Sequence, residues 1–285
     1  MSHTITPIRF GFLPHKGVIE YEFGKIVPTP EFDQIAKAIK KRLHEDGHFY
    51  PPIVDHPIVL GKTAKAVQNT KRPAHLYGLP ASHDLCVSLT RAEPNIREGS
   101  AGFIIHLLAF LFRTRLQFAD WFSDGRIPID FNGTFALVRN PIQAGTCLSG
   151  AYKVWLKWSE LQQRRFTNIL YMRSRVSAYE WDWEQFILEY MILDACWKMG
   201  AELFGLKARD HADRVHVLCK AMSIDLGQLG IDVKTMSDLR NDLFHEALWY
   251  KSRPGSVGRR RFYIHAAMGG LNQRLISALI GRVEI

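Results

Sequence analysis

Three side chains in the segment SDLRNDLFHEALWYK, residues 237–251, have types and spacing suited to acid–base work on an anion. Asn241 and His245 are four residues apart, so on a helix they stack on one face. Histidine titrates near neutral pH and can therefore donate or accept a proton. A guanidinium, here Arg240, stabilises developing negative charge through charge-assisted hydrogen bonds. Arg240 falls about 100° from Asn241, within the apolar arc of the helix, but its long side chain can carry the guanidinium toward His245. A cation on a core-facing arc needs a partner, because an unpaired buried charge is expensive. The chain offers Glu184, Glu189 and Asp194 on another apolar helix. An Arg240–Glu189 pair is the expected contact, with Asp194 as the alternative.

These residues need elements to hold them. Met236, Leu239, Leu243 and Ala247 form one stripe at helical spacing, widened by Phe244 and Leu248. The run over 181–204 is apolar nearly all round and is expected at the centre of a bundle. Further helices are expected over about 147–177, 210–224, with Asp210 as cap, and 261–281. Proline agrees: after Pro141 the chain has only Pro254.

The first half reads differently. ITPIRFGF and VIEYEF have strand character and flank a PHKG turn. A helix is expected from a Thr29 cap, through Pro30, to Gly47. Prolines punctuate residues 48–99. Another helix is expected over 101–122, then a hairpin of RIPIDF and TFALV around Asn132-Gly133. The expected class is α+β: a mixed strand and helix part over 1–142, then an all-helical part over 143–285.

Arg240-Asn241-Asp242-Leu243-Phe244-His245 resembles the Rx4–6H motif of HEPN domains, including the polar residue directly after the arginine. Its place on a penultimate helix of an all-helical region also resembles that family. The resemblance covers about residues 145–285. It implies a metal-independent endoribonuclease that needs no cofactor, with Arg240, Asn241 and His245 catalytic and Glu189 or Asp194 supporting. It implies a homodimer through the helical part, because cleavage needs a base for the ribose 2′-OH and an acid for the 5′-oxygen, and two facing motifs supply two histidines. The products would be a 2′,3′-cyclic phosphate and a 5′-hydroxyl. It further implies a prokaryotic toxin or antiviral effector, with an antitoxin or regulatory partner, in which residues 1–142 recognise a trigger, an RNA class or a partner. A non-catalytic HEPN-like module that binds nucleotide, nucleic acid or protein is the alternative.

Composition is compatible with an RNA partner. The 285 residues carry a formal charge of +9, from 37 Lys+Arg against 28 Asp+Glu. The excess divides almost evenly between the two parts. One dense acid-free run, KSRPGSVGRRR, directly follows the motif helix; Lys251, Arg253, Arg259, Arg260 and Arg261 are the expected RNA contacts. Arg164, Arg165, Arg173 and Arg175, with Tyr171 and Tyr179 nearby, are a second basic stretch.

Other classes are excluded. At 47% hydrophobic and 23% charged the chain is not intrinsically disordered. It has no 18-residue uncharged apolar run, and its start does not read as a secretory signal. Cys86, Cys147, Cys196 and Cys219 lack CxxC spacing and are expected as reduced core residues of a cytoplasmic protein. Gly61-Lys62-Thr63 has His56 where a P-loop needs its first glycine. His44 and His48 are interrupted by Gly47 and lack a third ligand, so no metal is expected. His106 is expected as a satisfied core histidine.

Overall fold

A computed structural model describes residues 3–4, 7–57, 69–89, 93–254 and 264–281. The elements run β1 (His3–Thr4), β2 (Ile8–Gly11), β3 (Ile19–Tyr21), β4 (Gly24–Pro28), α1 (Phe32–Arg42), β5 (His48–Phe49), β6 (Ile53–Pro57), β7 (Asn69–Pro73), β8 (His83–Leu89), α2 (Ser100–Leu111), β9 (Gln117–Phe118) and β10 (Ile127–Pro128). Among the described residues six α-helices follow: α3 (Pro141–Trp155), α4 (Glu160–Arg175), α5 (Asp182–Phe204), α6 (His211–Ala221), α7 (Val233–Glu246) and α8 (Ile264–Leu279). Apart from α1 and α2, the described helices follow the strands, and the class is α+β.

The principal sheet is antiparallel in the order β3-β4-β8-β2-β9, with β1 also paired to β8. Along β8, His83, Leu85 and Val87 are buried while the residues between them are half-buried, the period-2 pattern of a sheet with one face on the core. The two N-terminal strand segments exist, but they are not a hairpin with each other. β2 pairs with β8 and β9, whereas β3 turns directly into β4.

Every residue of α2 is buried. It lies against the sheet, α3 and α4, so the FIIHLLAFLF run is the centre of the larger core. That core takes in Phe10 and Ile26 from the sheet as well as Leu193 and Leu271 from the helices. The expected boundary at 142/143 falls inside α3. Gly145 explains how α3 sits so close to β3: a Cβ there would lie 2.0 Å from the Glu20 carbonyl oxygen. A smaller core gathers α1, Phe12, Phe49, Leu79 and Ile129.

Several local expectations are corrected. α1 begins at Phe32 and ends at Arg42, because Leu43 is already extended. α2 stops at Leu111, and Arg113 adopts φ 50°. No hairpin forms around Asn132-Gly133: β10 pairs with β5, and the Asp130 carboxylate instead accepts hydrogen bonds from the Asn132 and Phe135 N–H groups in a turn. The long helix expected over 147–177 is two, because Ser159 starts α4 with a capping box to Gln162. The ends of α5 and α6 follow the expected signals, with Gly205 left-handed after α5 and the Asp210 side chain accepting from the Asp213 N–H. Among the described residues, no helix is long and apolar enough to cross a membrane.

Candidate active site on helix α7

α7 starts at Asp232, whose carboxylate accepts hydrogen bonds from the Lys234 and Thr235 N–H groups at 3.0 and 3.2 Å. Val233, Met236, Leu239 and Leu243 are its buried stripe. The stripe ends earlier than the spacing predicts. Ala247 is left-handed, at φ 54°, and the Leu248 N–H closes on the Asp242 carbonyl oxygen at 3.0 Å. Trp249 then anchors the exit, buried with its ring centroid 5.0 Å from that of Phe186. Phe244, expected on the core side, is 49% exposed.

The structure brings Arg240, Asn241 and His245 together through one nitrogen. Arg240 Nη1 donates to Asn241 Oδ1 at 2.9 Å and lies 3.2 Å from His245 Nε2. A guanidinium only donates, so a hydrogen bond here uses Nε2 as the acceptor, in the tautomer with its proton on Nδ1. Asn241 and His245 are exposed, and Arg240 is half-buried. The guanidinium carbon lies 6.0 Å from the Tyr190 ring centre on α5 and 5.2 Å from that of Phe244, both within cation–π range.

The expected Arg240–Glu189 pair does not form. Glu189 is buried and paired with Arg173 at 3.0 Å, and Asn272 Nδ2 donates to both its carboxylate and its backbone carbonyl at 2.7 Å. The reason is rotation along α5. Neighbouring residues point about 100° apart, so when Tyr190 meets α7, Glu189 turns toward α4 and α8. Gly269 on α8 leaves room for the pair, since a Cβ there would lie 3.0 Å from Glu189 Oε1. Asp194, one turn beyond Tyr190, is not Arg240's partner either. It lies 3.6 Å from Arg214 and 3.8 Å from His211. Among the described residues Arg240 has no carboxylate partner, and its Nε is buried without a hydrogen bond.

His211 and Arg214 are members of this neighbourhood that the sequence reading passed over. Arg214 Nη1 lies 3.3 Å from His211 Nδ1, and the His211 ring centroid is 6.4 Å from that of Tyr190. Burial, then the charges of Arg214 and Arg240, hold His211 below the usual imidazole range, against the opposing pull of Asp194. Tyr190 is pushed up, first by burial and then by Asp194. Around Tyr190, Arg240 and Arg214 oppose the single carboxylate of Asp194, with the His211 ring alongside. The signal for His211 and Arg214 was weak, because they lie on a separate helix, and only packing shows that α6 borders α7.

Lys251 and Arg253 are exposed just beyond α7, on a turn closed by hydrogen bonds between Trp249 and Ser252. Arg259, Arg260 and Arg261 lie outside the described residues. The second basic stretch is not a row of unpaired cations: Arg165 pairs with Glu202, Arg173 with Glu189, Arg175 with Asp124 and Arg164 with Glu160. Comparison with family models, curated proteins and solved structures finds no match to this chain.

Proposed function

We propose that the protein is a metal-independent endoribonuclease whose site is centred on Arg240, Asn241 and His245. One observation carries this reading. A guanidinium without a carboxylate partner among the described residues lies 3.2 Å from Nε2 of an exposed histidine. An incoming phosphodiester offers Arg240 the anion it lacks, and drawing the guanidinium onto a non-bridging oxygen releases His245 Nε2. That lone pair then takes the ribose 2′-OH proton as the oxygen attacks phosphorus. The 5′-oxygen leaves with a proton from a second acid. The products are a 2′,3′-cyclic phosphate and a 5′-hydroxyl. Asn241 keeps the guanidinium in place through the 2.9 Å bond. A second copy of the chain, facing this one through the helical part, supplies the second histidine. Lys251 and Arg253, with Arg259, Arg260 and Arg261, hold the RNA backbone. The HEPN-like motif supports a role as a cytoplasmic prokaryotic toxin or antiviral effector restrained by an antitoxin or regulatory partner.

RNA digestion in EDTA tests this. Wild-type protein is expected to cleave and leave 5′-hydroxyl ends. His245→Ala and Arg240→Ala are each expected to lose about 10²–10⁴-fold in rate. Equal cleavage by all three proteins refutes the assignment. The stacking of Arg240 on Tyr190 and Phe244 favours one alternative, a non-catalytic module that binds nucleotide, nucleic acid or a protein partner. RNA binding that is lost in Arg240→Ala, without cleavage by the wild type, selects that alternative.

A further inference from the structure

A cavity of about 490 Å³ opens between the larger and smaller cores, beside the C-terminal end of α2 and the turn after β10. Its volume is that of a small-molecule site. No residue of α7 lines it, so it is separate from the candidate active site.

Its charges are not balanced locally. The two wall carboxylates are already engaged: Asp130 accepts from two backbone N–H groups at 3.0 and 2.7 Å, and Asp46 accepts from the Tyr50 hydroxyl at 2.7 Å beside His44 and His48. Arg173 is paired with Glu189. Arg113 has no carboxylate among the described residues; its guanidinium donates to the Gln273 amide oxygen. Burial and the neighbouring Arg173 charge lower its affinity for its own proton, a cost that a bound anion relieves. Arg113 holds φ 50°, the left-handed position just past the end of α2, which sets the direction its side chain leaves the helix.

The wall opposite is aromatic. Phe131 packs on Phe12 with ring centroids 5.6 Å apart and has the Lys40 ammonium 6.0 Å from its ring centre, while Phe135 is 65% exposed at the rim. Aromatic faces suit a planar ring system, and the amides of Asn132 and Gln273 on the wall suit its polar edge. We infer that this cavity binds a small phosphorylated ligand with a planar heteroaromatic body, of nucleoside-monophosphate size, its phosphate on Arg113 and its ring against Phe131 and Phe135. This inference stands whether or not the motif on α7 cleaves RNA.

The test is titration calorimetry of the full-length protein with the four ribonucleoside 5′-monophosphates, the matching nucleosides and inorganic phosphate. At least one monophosphate is expected to bind, with its nucleoside and phosphate each about tenfold weaker or worse, because each keeps half of the recognition. Arg113→Gln is expected to weaken binding about tenfold or more through loss of a charge-assisted contact. Phe135→Ala, at an exposed rim position, tests the aromatic wall without touching the core and is expected to weaken binding too. A phosphate also meets Arg240 in the reading proposed above, so the binding assigned to the cavity is the part that persists in Arg240→Gln. No binding by any of the four up to about 1 mM overturns the inference. So does full affinity in both Arg113→Gln and Phe135→Ala, or binding that disappears in Arg240→Gln alone.

Discussion

At the scale of single residues the motif works through its arginine. Nη1 of Arg240 reaches both Asn241 and His245 while the guanidinium lies within cation–π range of Tyr190 and Phe244, a set of contacts that a compact ammonium of shorter reach does not reproduce. Arg240→Lys keeps the charge but is expected to retain little of the RNA cleavage proposed above, within about tenfold of Arg240→Ala; near-wild-type rates would show that charge alone suffices. The chemistry-bearing residues were legible because spacing on one helix places Asn241 and His245 together. Arg240's partner was not. Helical periodicity gives an angle around one axis and says nothing of how a second helix is turned about its own. Glu189 and Tyr190 are adjacent in sequence, yet α4 and α8 take the carboxylate while α7 takes the ring.

At the scale of elements, caps and close approaches set where the site lies. Asp232 fixes the start of α7, and Asp232→Ala is expected to cost about 1 kcal/mol in urea unfolding. Gly145 sets the spacing of α3 on β3. Gly145→Ala is expected to destabilise by about 2 kcal/mol, although alanine is the better helix former by about 1 kcal/mol, because its Cβ would meet the Glu20 backbone. A neutral or stabilising result would show that the strand moves aside readily. α5 was legible from its long apolar run and the closing Gly205, and α6 from its Asp210 cap. The two-residue strand β9 was not, since so short a pairing leaves no pattern; RIPIDF marked the segment of β10 but not its pairing with β5. Asn132-Gly133 misled because Asp130 turns the chain through its side chain before a ladder can form.

For the whole molecule, the buried centre carries a pH dependence. Burial pushes His106 down to about 4, and its Nδ1 has no hydrogen-bond partner among the described residues, so the expectation of a satisfied histidine is corrected. His83 is also lowered to about 4 by burial, but its ring nitrogens meet Ser82 Oγ and the His15 carbonyl oxygen, each at 2.8 Å. A folded pKa below the unfolded value of 6.5 means that unfolding takes up a proton in acid. The stabilisation is therefore present above pH 6.5 and is lost as pH falls toward 4. His106→Leu is expected to remove about 2 kcal/mol of the stability difference between pH 7.5 and 5.0, measured by urea unfolding. An unchanged pH profile would place the titration elsewhere. The wrapping of α2 also has a consequence for synthesis. A ribosome releases this largely apolar helix, buried at every residue in the finished fold, before α3 and α4 exist to cover it, and at about 5–20 residues per second the delay is several seconds. The nascent chain must be shielded over that interval, so its yield in a cell depends on chaperone supply and translation speed as well as on the stability of the finished fold.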